Sequence, residues 1–186
     1  MKIKKLTVLS LFGAVALVLS FIESTLVPDI PFLPVGAKPG LSNIVTMYIA
    51  GIAGLPGALY ITMLKVLFVF ITRGPSGAFM SLCGGLLSTL AVSFLIKYEG
   101  KVFSFLGIGI AGALMHNMGQ LFGASVMSGT FAVFNYAKYL LIFSLITGVV
   151  TGSMLVLLMP RLKKSAVLNI KTLRSMRPAK IKGMKI

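Results

Sequence analysis

Residues able to do chemistry fall in four places, each within or beside an apolar stretch. Lys65 stands in the middle of one such stretch, with roughly 12 Å of helical rise to either end. An ammonium is costly there and wants an anion, either a bound ligand or an internal carboxylate such as Glu23. His116-Asn117-Met118-Gly119-Gln120 is the densest polar cluster inside any apolar run. His116 and Gln120 are four residues apart and share a helical face, Asn117 lies beside them, and Gly119 leaves room for a close-approaching group. An interhelical hydrogen-bond network, worth about 0.6 kcal/mol per bond, is the structural alternative to a ligand-binding cluster, which is the preferred reading. Lys38-Pro39-Gly40-Leu41-Ser42-Asn43 opens another run. Ser42 or Asn43 suits a helix cap, and the free N–H groups at such a start, with Lys38 beside them, suit an anion. Asn135-Tyr136-Ala137-Lys138-Tyr139 opens the last run. Its tyrosines read as an interfacial belt, whereas Lys138 lies further in. The expected binding set is Lys38, Asn43, Lys65, His116, Asn117, Gln120 and Lys138, and its positive sign favours an anionic or acceptor-rich ligand with an apolar part.

What is missing narrows the chemistry. The acids number three, Glu23, Asp29 and Glu99, and they are far apart, which excludes a paired-carboxylate hydrolase. One histidine and one cysteine, Cys83, cannot assemble a metal cluster with those acids or close a disulfide. No P-loop is present. The chain is therefore expected not to be an enzyme and to need no resident cofactor. Any transport would be passive, ion-coupled or energised by a partner.

These residues need elements to hold them, and composition says where those elements lie. Of 186 residues, 57% are apolar and 11% charged, too little polar material to cover a soluble domain. Disorder is excluded by the same hydrophobicity. The expectation is one all-α integral membrane domain of six transmembrane helices, at 6–27, 41–54, 57–72, 78–96, 102–124 and 136–159. Leu55-Pro56-Gly57 and Arg73-Gly74-Pro75-Ser76-Gly77 read as turns, Pro160 as the stop of the last helix, and residues 28–40, with four prolines, as a stiff loop. The first helix also resembles a signal peptide with a cut after Ser20, but its length and the helices that follow favour an uncleaved span.

The net charge of +15 suggests nucleic acid until its positions are mapped. Lys2, Lys4, Lys5, Lys97, Lys101 and nine residues after Pro160 fall on one side of a six-span chain, against Lys38 and Arg73 on the other. That bias places both termini in the cytoplasm, with residues 1–160 as membrane domain and 161–186 as a basic cytoplasmic tail. The tail would meet anionic lipid, and no nucleic-acid partner is expected. Small residues recur at four-residue spacing in Gly119/Gly123, Gly148/Gly152 and Gly109/Ala113, which suits close helix packing within the chain.

The run Gly36-Ala-Lys-Pro-Gly-Leu-Ser-Asn-Ile-Val-Thr46 resembles the opening signature of the Gx transporter family, often labelled heptaprenyl diphosphate synthase component I. The likeness continues through Leu64-Lys65-Val66-Leu67, the segment from Ser81 to Ser88, His116-Asn-Met-Gly-Gln120 and the segment from Thr147 to Gly152. Lys65 departs from the arginine expected in many relatives, which keeps the charge and loses a bidentate fork. The resemblance implies a fold similar to the S components of energy-coupling factor transporters. Such a subunit would capture a small ligand at the outer face, under its first long loop, and depend on a transmembrane coupling subunit and ATPases. It also implies a docking face on the first helix, for which Ser10, Ala14, Ala16 and Ser20 are the small residues available. Some relatives look associated with isoprenoid-quinone or flavin-linked electron transfer, so a non-transporting accessory is the alternative. A non-catalytic subunit of a prenyl diphosphate synthase is another; a catalytic one would need aspartate-rich magnesium motifs that this chain lacks.

Overall fold

The computed structural model describes residues 2–26 and 40–164. Lys38, Asp29 and the tail from residue 165 onward lie outside the described residues. Among the described residues the architecture is all-helical: α1 (Lys2–Leu26), α2 (Leu41–Leu95), α3 (Phe105–Ser128) and α4 (Ala137–Lys164), with short 3-10 turns at Ile96–Tyr98 and Phe131–Tyr136. Among the described residues, four helices are long and apolar enough to cross a membrane.

A straight helix of 55 residues would reach about 80 Å, far beyond a bilayer's roughly 30 Å apolar core. It is instead interrupted at Gly54 (φ 75°, ψ −173°) and Gly74 (φ 76°, ψ −174°), a left-handed φ that glycine adopts without a Cβ clash. Three helical segments result, α2a (41–53), α2b (55–73) and α2c (75–95). Each interruption folds the chain back. Lys65 reaches Asn43, 22 residues earlier, and the Thr62 hydroxyl meets that of Thr89, 27 residues later, at 2.7 Å.

These turns are tighter than the expected loops at 55–57 and 73–77. One glycine takes each reversal, and Pro56 and Pro75 already belong to the first turn of the next segment. A proline fits there because the first N–H groups of a helix have no ladder partner. Other boundaries differ too: α1 already starts at Lys2, and α3 runs on to Ser128. α3 starts at Phe105 rather than 102, because the Ser104 hydroxyl accepts the Gly107 N–H at 3.2 Å and caps it. α4 passes the expected stop at Pro160 and ends at Lys164; the missing proline N–H removes one ladder bond without ending the helix.

The short segment α2a is the axis of the bundle. Every residue from 44 to 50 is buried, so its uniformly apolar character has a cause: partners surround it. Phe12 of α1 packs on Tyr48 with ring centroids 5.1 Å apart. At the end of the bundle that holds the start of α1, Leu9, Ile49, Ile52, Val92, Ile108, Leu155 and Met159 form a solid apolar core. The small-residue pairs pack within the chain as expected. A Cβ on Gly119 would stand 2.5 Å from the Cys83 carbonyl oxygen, and one on Gly109 would overlap the Gly152 backbone. Outside, Ile71, Phe94, Phe122 and Ile142 are exposed, as lipid-facing residues would be.

α1 turns Leu9, Gly13, Ala16, Ser20 and Glu23 inward, at helical spacing. The proposed docking residues therefore divide. Ala16 and Ser20 face the bundle, and only Ser10 and Ala14 remain on the exposed side.

Candidate functional site

The opposite end of the bundle is hollow. A cavity of about 430 Å³ lies where α1 ends, α2a begins and α2b turns into α2c. Its size suits a small organic ligand. α1 contributes Ser20, Glu23 and Ser24; α2a contributes Ser42 and Asn43; α2b contributes Lys65, Phe68, Val69, Thr72 and Arg73. α2c adds Ser76, Met80 and Ser81, and α3 adds His116 and Gln120.

Lys65 is held by its neighbour across the α2a–α2b turn: its Nζ donates to Asn43 Oδ1 at 2.6 Å. Glu23 has another task. Its carboxylate accepts the N–H of Leu41, and that of Ser42 at 3.3 Å. The cap residue Gly40 has no side chain to do this, so an acid from a different helix closes the start of α2. The expected cap from Ser42 or Asn43 is thus replaced. The anion site imagined at that helix start already holds an internal carboxylate at its first two N–H groups. Lys38, the cation expected beside it, lies outside the described residues.

α3 reaches the cavity because α2c lets it come close. A Cβ on Gly84 would stand 2.7 Å from the His116 carbonyl oxygen and 2.8 Å from Gln120 Cγ. That approach brings His116 and Gln120, one turn apart, onto the wall together. His116 Nδ1 is buried and has no hydrogen-bond partner among the described residues. Such a group is unfavourable unless something binds it.

Two expected site residues are elsewhere. Asn117 is buried and its Nδ2 donates to Ser144 Oγ at 2.7 Å, tying α3 to α4. It borders a smaller adjoining cavity together with Asn43 and His116 and is not on the wall of the large one. Lys138 is exposed, with its ammonium 5.0 Å from the centroid of the Tyr139 ring, and is not on the cavity wall. The structure therefore brings together Asn43, Lys65, His116 and Gln120. It adds Arg73, expected in a loop, and Glu23, expected as a carboxylate for Lys65 and found on the same wall while it caps α2. Arg73 was legible in part: carrying the helix on to residue 73 makes it the last residue of the segment that bears Lys65, about two turns further along. Among the described residues, no three His, Cys, Asp or Glu side chains converge to hold a metal ion.

Residues 12–158 match the family model described as heptaprenyl diphosphate synthase component I. No curated protein matches the chain, nor does any solved structure. The matched stretch takes in every wall of the cavity, from Ser20 on α1 to Gln120 on α3, and the chain belongs to the heptaprenyl diphosphate synthase component I family.

Proposed function

We propose that this chain is a membrane substrate-capture subunit of an uptake system, without catalytic activity of its own. It binds a small amphipathic compound in the cavity and takes its energy from partners, a transmembrane coupling subunit with ATPases. The six helical segments cross the bilayer with both termini in the cytoplasm, which puts the cavity at the outer face and the basic tail against anionic lipid. The observation that carries this reading is the cavity of about 430 Å³, with Lys65, Asn43, His116 and Gln120 grouped on walls that also offer Phe68, Val69 and Met80. Polar groups are expensive at such depth and serve a purpose when they converge.

Native mass spectrometry of the gently solubilised, tagged protein from its own membranes tests the reading. The expected spectrum carries coupling and ATPase subunits, or a bound vitamin-sized compound. Lys65→Ala or Gln120→Ala should abolish ligand retention while the protein stays folded. Normal retention in both variants would remove this cavity as the site.

The family description favours a second reading, a non-catalytic membrane subunit of a prenyl diphosphate synthase. Three acids in the chain cannot supply the magnesium-binding motifs of the catalytic subunit. That reading predicts a soluble, aspartate-rich enzyme in the same spectrum, and no ATPase.

A further inference from the structure

We propose that the cavity recognises charge at its rim and not at its floor. Its ligand would carry a neutral, carbonyl-bearing head seated by Lys65 and a phosphate or carboxylate group held by Arg73. This rests on the reading of the cavity as a capture site.

The floor is already balanced. The Lys65 ammonium bonds Asn43, and the Glu23 carboxylate sits on the N–H groups of Leu41 and Ser42, the two residues before it. Plus and minus thus lie within one helical turn of α2a. An anion brought there would meet Glu23 as well as Lys65, and would lose its hydration at the most enclosed part of the site. The other floor groups, His116 and Gln120, are hydrogen-bonding side chains, and His116 Nδ1 is buried without a partner among the described residues. The Gln120 amide, like the Lys65 ammonium, offers N–H donors that suit an uncharged carbonyl oxygen.

The rim is different. Arg73 lines the cavity, is exposed, and has no carboxylate partner among the described residues. Thr72 and Ser76 place hydroxyls beside it. A guanidinium fork matches a phosphate or carboxylate through two parallel hydrogen bonds, and at the rim that anion keeps part of its water. About 12 Å of helical rise separates Lys65 from Arg73, and Phe68 and Val69 fill the interval on α2b, with Met80 on α2c. That spacing sets a neutral head, an apolar middle and an acidic end in line.

The probes are N-(carboxyalkyl)phthalimides of increasing chain length and their methyl esters, titrated into the full-length protein in nanodiscs. Phthalimide offers carbonyl acceptors on an apolar ring, and each pair differs only in the terminal charge. The acid should bind about tenfold more tightly than its ester, and Arg73→Met should bring the two within about twofold. Arg73→Lys should restore part of the preference. Lys65→Met should weaken acid and ester alike and leave their ratio unchanged. Equal binding of acid and ester to the wild-type protein overturns the inference. So does a preference that survives Arg73→Met and disappears in Lys65→Met, since the anion would then sit on the floor. A molecule without an acidic group, retained from the native membrane, overturns it while leaving the capture reading standing. A wild-type protein that retains nothing and binds neither probe overturns both.

Discussion

The two ends of this bundle are built from the same helices and do opposite things with them. At the end where α1 starts, Leu9, Ile52, Val92, Ile108, Leu155 and Met159 interlock into a solid core. At the end where α1 finishes, the same helices stand around a cavity of about 430 Å³ lined by Ser20, Asn43, Lys65, Arg73, His116 and Gln120. The side chains at the two ends differ in kind. Branched and long apolar residues fill space between helices, whereas small hydroxyls and charged groups held by neighbours do not. One end is filled by its side chains and the other leaves a cavity between the same helices.

Substitutions at the two ends should therefore differ in kind and size. The largest effect is expected for Gly109→Leu, since any side chain there overlaps the Gly152 backbone and forces α3 from α4. A loss of about 3 kcal/mol or more, at the top of the overpacking range, should appear as a collapse of thermal stability and membrane yield. Leu155→Ala, in the solid core, should cost about 3 kcal/mol, whereas Val69→Ala on the cavity wall should cost less than about 1 kcal/mol, because Val69 already borders open space. Equal losses in thermal unfolding would erase the contrast between the ends. Glu23→Ala strips the start of α2 of the carboxylate oxygens that accept its first N–H groups and should cost about 1–3 kcal/mol, with increased hydrogen exchange at Leu41 and Ser42 as the local signature. Asn117→Ala sharpens the division within one cluster. It should lower stability by about 0.6 kcal/mol and leave ligand retention unchanged, whereas His116→Ala should reduce retention. The smallest effect is Lys138→Ala, at most about 0.5 kcal/mol in thermal unfolding and none on retention, for an exposed ammonium near one tyrosine ring.

Much of the scaffold was legible because it rests on local causes. Apolar runs, the glycine-proline breaks near residues 54 and 74, and four-residue glycine spacings each express a short-range rule about helices. The errors were also local in origin. Pro56, Pro75 and Pro160 read locally as breakers, yet each lies within helix, the first two where a missing N–H does no harm. The site was legible in part. Lys65, Asn43, His116 and Gln120 drew notice as polar residues in apolar runs, and these converge. Asn117 drew notice for the same reason and points to Ser144, because sequence records that a polar group needs a partner and not which partner it finds. Glu23 shows the converse: its bond to the N–H groups of Leu41 and Ser42 spans 18 and 19 residues, beyond any local pattern.

Composition and pattern alone make the chain strongly apolar, with helix breaks near residues 54 and 74 and a Lys65 that needs a partner inside an apolar run. The packing of the helices is what makes α2a the axis of the bundle, sets Glu23 on a helix start and Lys65 on an asparagine, and brings Arg73 to the rim of the cavity. The reason is physical. Periodicity, propensity and hydropathy act over a turn or two of helix, but the rotation and depth at which helices meet depend on side chains far apart in sequence. A site made between helices exists only once that meeting is fixed.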